Sequence, residues 1–282
     1  MGSRARHQTF NTRAPASLEA ITGLDFPTNA TAGSDVRLTW TGADILPRNN
    51  HTAIWTAKYV QQTGYYANLW HCHNGAFAGA EYDFGTHPFP CDGAFDGQNK
   101  ATGGTSDTGI VHYYEIATVG ESVDYIGGVT AESYLVTKGV WVTSARSSEV
   151  VGANIRHRYW PDISQPTKYI EVTRVLANMN TPASPVFLIG CSPWRADSPS
   201  PGQNDETPGG ILRGFKLFSA SLSITDIATE AASTSNTPQT AAGIASVWYM
   251  NVNPTPSDVT DKSGAGHHPA WANANRPTLV TL

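Results

Sequence analysis

Charge is scarce in this chain, and so are cysteine and long apolar runs. Asp, Glu, Lys and Arg supply only 15% of its 282 residues. The balance is slightly acidic, with a formal net charge of -5 and a pI near 6.0. A phosphate backbone is therefore not generally attracted, and no nucleic-acid partner is expected. The cysteines Cys72, Cys91 and Cys191 cannot all pair within one chain, and none falls in a CxxC or zinc-type spacing, so no disulfide framework is indicated. A single Cys72 to Cys91 bridge across a Gly- and Pro-rich loop and a pair of buried thiols both fit the spacing. No run approaches the roughly 18 apolar residues that cross a bilayer. Met1 to Arg13 carries Arg4, Arg6 and Arg13 but no apolar stretch of the kind a secretion signal needs. The expectation is a soluble protein without membrane insertion. A place on a virion or outside a cell would then be reached by another route, such as lysis.

What is abundant points to strands and turns. The chain has 26 Gly, 18 Pro, 8 Trp and 11 Tyr, a balance that suits many short strands joined by tight turns and leaves little room for long amphipathic helices. Its length fits one large β domain with appendages or two modest domains, of which the first is favoured. Residues 1–20 are polar and aperiodic and read as an N-terminal arm. Val36, Leu38 and Trp40 alternate with polar residues, as do Ala53, Trp55 and Ala57, which is the period of half-buried strands. Further strand-like runs are Tyr65 to Trp70, Ile110 to Ala117, Gly139 to Ala145, Ile155 to Trp160, Tyr169 to Val175, Val186 to Ile189 and Ile211 to Phe218. One short helix is expected after Ser223. That serine can cap the first turn, Asp226 sits near the positive helix end, and Ile224, Ile227 and Ala228 are placed on one face. A Ser/Thr/Ala-rich spacer, Ala231 to Thr240, precedes a last unit with the apolar run Ile244 to Met250.

The order of these elements resembles the laminin-G-like, concanavalin-A-like lectin and glucanase jelly roll, in its bacterial and viral branch. The resemblance rests on Thr52-Ala53-Ile54-Trp55-Thr56-Ala57 followed by Tyr65-Tyr66-Ala67-Asn68-Leu69-Trp70. It continues with Gly139-Val140-Trp141 ahead of Tyr159-Trp160-Pro161-Asp162, and closes with Gly210-Ile211-Leu212-Arg213-Gly214-Phe215-Lys216-Leu217-Phe218, Ala220-Ser221-Leu222-Ser223 and the helix through Ile227. It implies an all-β, antiparallel two-sheet jelly-roll sandwich with one short helix. On that basis 1–20 is the arm, 21–232 the jelly roll, and 233–282 a linker and C-terminal strand segment that packs on the same sandwich or on a neighbour. Where many relatives carry an acidic pair in the closing strand this chain has Arg213-Gly214, so no role resting on that acid is carried over. Val247-Trp248-Tyr249-Met250 with Asp261-Lys262-Ser263-Gly264 resembles the family's opening strand and turn, here placed last.

No catalytic residues are expected. Glu81-Tyr82-Asp83 resembles the Glu-x-Asp-x-Glu strand of jelly-roll glucan hydrolases, but position 85 is Gly and the second outer carboxylate is missing. Tyr113, His157 and nearby arginines have the residue types of a polysaccharide lyase. In a strand, however, Arg156 and Arg158 face one way and His157 and Tyr159 the other, so no single face gathers all four. His71, Cys72 and His73 with His87 and Cys91 have metal-binding side chains in no established ligand spacing. Gly264, Gly266 and His267-His268 lack the Lys-Ser/Thr of a phosphate loop. Asn29-Ala30-Thr31 and Asn50-His51-Thr52 match the glycosylation acceptor pattern, which matters only in a eukaryotic secretory setting.

The best binding candidates are Trp194, Arg195, Asn204 and Asp205, with Trp70, His71 and Tyr82 beside them. They combine aromatic plates for the C–H face of a sugar with polar groups for its hydroxyls. Asp197, Asp205 and Glu206 offer the hard oxygens that Ca²⁺ takes, the one cofactor suggested. The expected function is a non-catalytic glycan-binding or structural and adhesion module, such as a decoration protein on a phage or bacterial surface. Its partners would be a surface glycan and further subunits of a homo-oligomer or capsid-like assembly. The alternative is a polysaccharide lyase or glycoside hydrolase on the same scaffold.

Overall fold

The computed structural model describes residues 22–26, 38–41, 50–61, 68–74, 91–96, 110–116, 124–126, 135–136, 140–160, 162–176, 185–189, 209–233, 238–240, 247–251, 266, 268, 270–271 and 278–281. These residues are mostly β. The strands are β1 (Thr22–Phe26), β2 (Leu38–Thr41), β3 (His51–Gln61), β4 (Asn68–Asn74), β5 (Cys91–Asp96), β6 (Ile110–Ile116), β7 (Asp124–Ile126) and β8 (Leu135–Val136). They continue as β9 (Trp141–Val151), β10 (Asn154–Trp160), β11 (Ile170–Val175), β12 (Pro185–Ile189), β13 (Gly209–Phe218), β14 (Val247–Asn251), β15 (Ala270–Trp271) and β16 (Thr278–Thr281). One helix, α1 (Ile224–Ala232), lies between β13 and β14.

All the pairings are antiparallel. One ladder runs β11-β10-β9-β3-β13-β1-β16, and a second runs β15-β2-β12-β4-β5-β6-β7 with β8 beside β6. The first ladder positions everything that follows. Strand β13 is shared along its length: Gly210 to Leu212 meets β1, and Gly214 to Phe218 meets β14. The C-terminal segments are thus zipped into the sheet of their own chain. The β9–β10 hairpin turns through Gly152 and Ala153, and Gly152 has a φ of 62°. A glycine in the first of two central turn positions matches the right-handed twist of the strands it joins.

Both faces of the first ladder are occupied, because the side-chain period of two sends alternate residues to opposite sides. On one face Ile54, Ala145, Trp160 and Phe218 form a core with Ile227 of α1, and Ile163, Leu222, Ile224 and Ala231 pack around it. The helix starts where expected: Ser223 Oγ accepts from the Asp226 amide at 3.2 Å and donates to the Asp226 carboxylate at 2.7 Å. Its inward line differs from the sequence expectation. Ile224, Ile227 and Ala231 face the sheet and Glu230 is buried beside them, while Ala228 is exposed.

Glu230 and Lys216 fasten that helix end. The Lys216 ammonium donates to the main-chain oxygens of Glu230 and Ser233, the latter at 2.8 Å, and so supplies from β13 the positive charge that the last helical turn lacks. The Glu230 carboxylate lies 3.6 Å from it and accepts from the Gln239 amide at 2.6 Å, the Thr240 amide at 2.8 Å and the Thr240 hydroxyl at 2.9 Å. Burial lowers the Lys216 pKa, and Glu230 opposes the shift. Further along the same ladder, Gly23 of β1 permits close approach. A Cβ there would meet Ile211 Cγ2 at 2.5 Å.

Candidate functional site

Two polar constellations stand on β9 and β10, one on each face. The inner one is a cross-strand row. His51 of β3, Ser148 of β9 and His157 of β10 are directly opposite one another in the ladder. Ser148 Oγ lies 3.2 Å from His51 Nε2 and 2.7 Å from His157 Nδ1, and Arg146 Nη2 donates to it at 3.3 Å. A hydroxyl that close to an imidazole has the spacing of an activated nucleophile. All four residues are closed off, however, with at most 5% of any of them exposed. On the same face of the ladder lie Trp55 and Tyr159, stacked at 6.2 Å, together with Ala53, Phe215 and Leu217, all buried. Burial first, and then the neighbouring Arg146 charge, push the His157 pKa well below its ordinary value of 6.5. The imidazole is therefore neutral near pH 7, and the row cross-links three strands.

The outer constellation faces solvent. Arg156 pairs with Glu149 of β9, and Arg158 Nε donates to Glu171 Oε2 of β11 at 2.6 Å. Glu171 Oε2 also lies 4.0 Å from Arg156 Nε. The Glu149 hydrogen bond raises the Arg156 pKa above its ordinary value, so this guanidinium stays charged. Next to these pairs stands Tyr169, which is 41% exposed. The Arg158 guanidinium lies over its ring at 5.9 Å, and the buried Trp160 indole meets it at 5.7 Å with a tilt of 41°.

The turn that presents Tyr169 is fixed at several points. The Asp162 side chain accepts from the Ser164 amide at 2.9 Å, Lys168 N bonds Gln165 O at 2.8 Å, and Trp160 Nε1 donates to Pro166 O at 3.2 Å. Ile163 N bonds Thr143 O of β9 at 2.9 Å and ties the turn to the sheet.

The split expected of Arg156-His157-Arg158-Tyr159 between two faces is what the strand adopts, with His157 and Tyr159 buried. The arginines are partly exposed and paired with glutamates. The residues proposed from sequence fall elsewhere. Trp194, Arg195, Asp197, Asn204, Asp205, Glu206 and Tyr82 lie outside the described residues, as do Glu81, Asp83 and His87. Trp70 and His71 are in β4, opposite Ile189 and Leu188 of β12. Among the described residues no cluster of three or more His, Cys, Asp or Glu is placed to hold a metal ion. No described helix is long and apolar enough to cross a membrane. Of the two acceptor tripeptides, the one at Asn50 is engaged in the fold. Its Oδ1 accepts from the Val150 amide at 2.8 Å, and Thr52 is buried, donating to Ala220 O at 2.8 Å.

No family profile matches the chain, and no curated protein matches it. Solved structures do. The enzymatically active domain of tailspike protein 2 from bacteriophage CBA120 aligns over 82% of this chain and 32% of its own, at 9% identity and a TM-score of 0.40. The alginate lyase from Klebsiella pneumoniae aligns over 60% of this chain and 59% of its own, at 10% identity and a TM-score of 0.35. The receptor-binding domain of botulinum neurotoxin type G aligns over 77% of this chain and 47% of its own, at 10% identity and a TM-score of 0.36. The chain spans about a third of the length of the tailspike domain it matches.

Proposed function

We propose that this chain is a non-catalytic recognition module of the laminin-G-like sandwich type, which holds a glycan at the exterior of a virion or bacterium. One observation carries the reading. The Ser/His/Arg grouping on β3, β9 and β10 is buried, whereas the opposite face of β10 and β11 presents an aromatic ring and ion-paired planar side chains. Enclosed, the first arrangement stiffens the sheet. Exposed, the second has the chemistry that grips neutral polar ligands. The loop with Trp194, Arg195, Asn204 and Asp205 belongs to the same proposal, with Asp197, Asp205 and Glu206 as the oxygen donors for Ca²⁺.

A glycan array read with and without Ca²⁺ tests this reading. Specific binding of at least one glycan class is the expected result, with loss of that binding in Trp194→Ala if the loop is the site. The release of unsaturated or reducing sugars from a polysaccharide panel would overturn the non-catalytic assignment. A chain that binds no glycan and remains a monomer in sedimentation overturns the module reading altogether.

A further inference from the structure

We propose that the outer face of β10 and β11 around Tyr169 is a saccharide subsite for an uncharged pyranose, formed by the exposed Tyr169 ring beside the Arg158–Glu171 ion pair. The proposal rests on the glycan-binding reading above and names a second surface for it, separate in sequence from the Trp194 loop.

Three features support the assignment. The first is Tyr169, a residue 41% exposed and presented by the hydrogen-bonded turn between Asp162 and Lys168. Because that turn is tied to β9 and backed by Trp160, little conformational freedom remains to be lost when a ligand stacks on it. The second is the polar pair at its side. Arg158 lies over part of the ring at 5.9 Å and commits Nε to Glu171 Oε2, which holds the remaining guanidinium hydrogens and carboxylate lone pairs in fixed planes beside the exposed part of Tyr169. Such planes offer a donor and an acceptor to neighbouring hydroxyls of one sugar while its C–H face lies on the aromatic ring. The third is charge. Arg156 and Arg158 are offset by Glu149 and Glu171, and exposed Lys168 is offset by Asp162 at the far end of the turn. These six groups therefore carry no net charge, and a sulfated or uronate-rich chain gains no net attraction from them.

Calorimetric titration with uncharged oligosaccharides, and in parallel with sulfated and uronate oligosaccharides, decides the matter. The proteins are the full chain and its Tyr169→Ala, Tyr169→Phe, Glu171→Gln and Trp194→Ala variants. The expected result is binding of an uncharged oligosaccharide that changes less than about twofold between low and physiological salt. Tyr169→Ala then weakens it about tenfold or more, Tyr169→Phe keeps most of it, and Trp194→Ala leaves this component in place. Binding that survives Tyr169→Ala within twofold overturns the subsite and leaves the module reading intact. A preference for polyanionic chains with steep salt dependence overturns the assigned ligand class. A wild-type chain that binds none of the oligosaccharides overturns both the subsite and the module reading. Thermal unfolding of each variant separates lost binding from lost folding. If Tyr169→Ala does not fold, Glu171→Gln, a change on the solvent-facing surface, decides in its place.

Discussion

Ser148 is short enough to sit between two imidazoles on adjacent strands, and that is what the ladder asks of it. With His51 and His157 in register on either side, a larger side chain would force the strands apart. The same enclosure has a consequence for acid stability. The folded protein holds His157 neutral, with its pKa well below 6.5, while the unfolded chain protonates it near that value. Stability from this group is fully present above pH 6.5 and falls as the pH drops toward the folded pKa, because over that range the unfolded chain binds the extra proton. The slope approaches about 1.4 kcal/mol per pH unit. Denaturant unfolding of wild type and His157→Gln between pH 5 and 8 measures it. The wild-type curve should drop more steeply below pH 6.5, with Arg146 and His51 still facing the site in both proteins, and parallel curves would remove His157 as the cause. This row was only partly legible in the sequence. The alternation that sends His157 and Tyr159 inward can be read from their spacing, but Arg146 and Ser148 fall beyond the strand-like run that ends at Ala145, because charge and hydroxyls normally mark exposure. What identifies them is the register, which depends on pairing partners nearly a hundred residues away in His51.

The lengths of the elements follow the same rule. Strand β9 was expected to stop near Ala145, where the apolar pattern ends, yet it runs to Val151 because β3 and β10 flank it along that stretch. Short strands such as β7, β8 and β15 lack enough residues to show a period at all, and pairing alone makes them. Helix α1 was legible at its start, where Ser223 and Asp226 form a local cap, and not at its end, where the stabilising cation comes from β13. That end yields a test. Lys216 and Glu230 are a mostly buried pair, so removing one partner leaves the other charged and desolvated. Lys216→Met or Glu230→Leu alone should cost about 3 kcal/mol or more. The double variant should cost less than the sum by at least about 1 kcal/mol, as read from a double-mutant cycle in urea. Additive losses would mean that the pair does not couple and that each residue acts only through its bonds to main-chain groups.

At the scale of the whole molecule, the chain closes its sheets with segments drawn from opposite ends of the sequence. Strand β1 is held between β13 and β16, β14 fills the edge of β13 beyond Leu212, and β15 pairs with β2. Residues after Thr240 therefore contribute three of the described strands, and the Glu230 bonds hold Gln239 and Thr240 at the end of α1. A chain ending at Thr240 would leave one edge of β1, the Gly214 to Phe218 edge of β13, and the β2 edge next to β15 without their partners. Each main-chain hydrogen bond lost contributes about 1 kcal/mol net. With five register pairs in the β13–β14 ladder and four in β1–β16, the sum approaches the entire stability of an ordinary domain, about 5–15 kcal/mol. The shortened chain should be unfolded or should associate through the bared edges, which are templates for pairing with another chain. Far-ultraviolet circular dichroism and sedimentation check the first point. Adding a peptide of residues 241–282 checks the second, since it should restore β signal and a monomer if those edges are what is missing. A shortened chain that melts within about 1 kcal/mol of the full one, without association, would show that the β13–β14 and β1–β16 ladders contribute little, and would move the stability of the sheet onto the β3, β9, β10 and β13 strands that enclose Ser148.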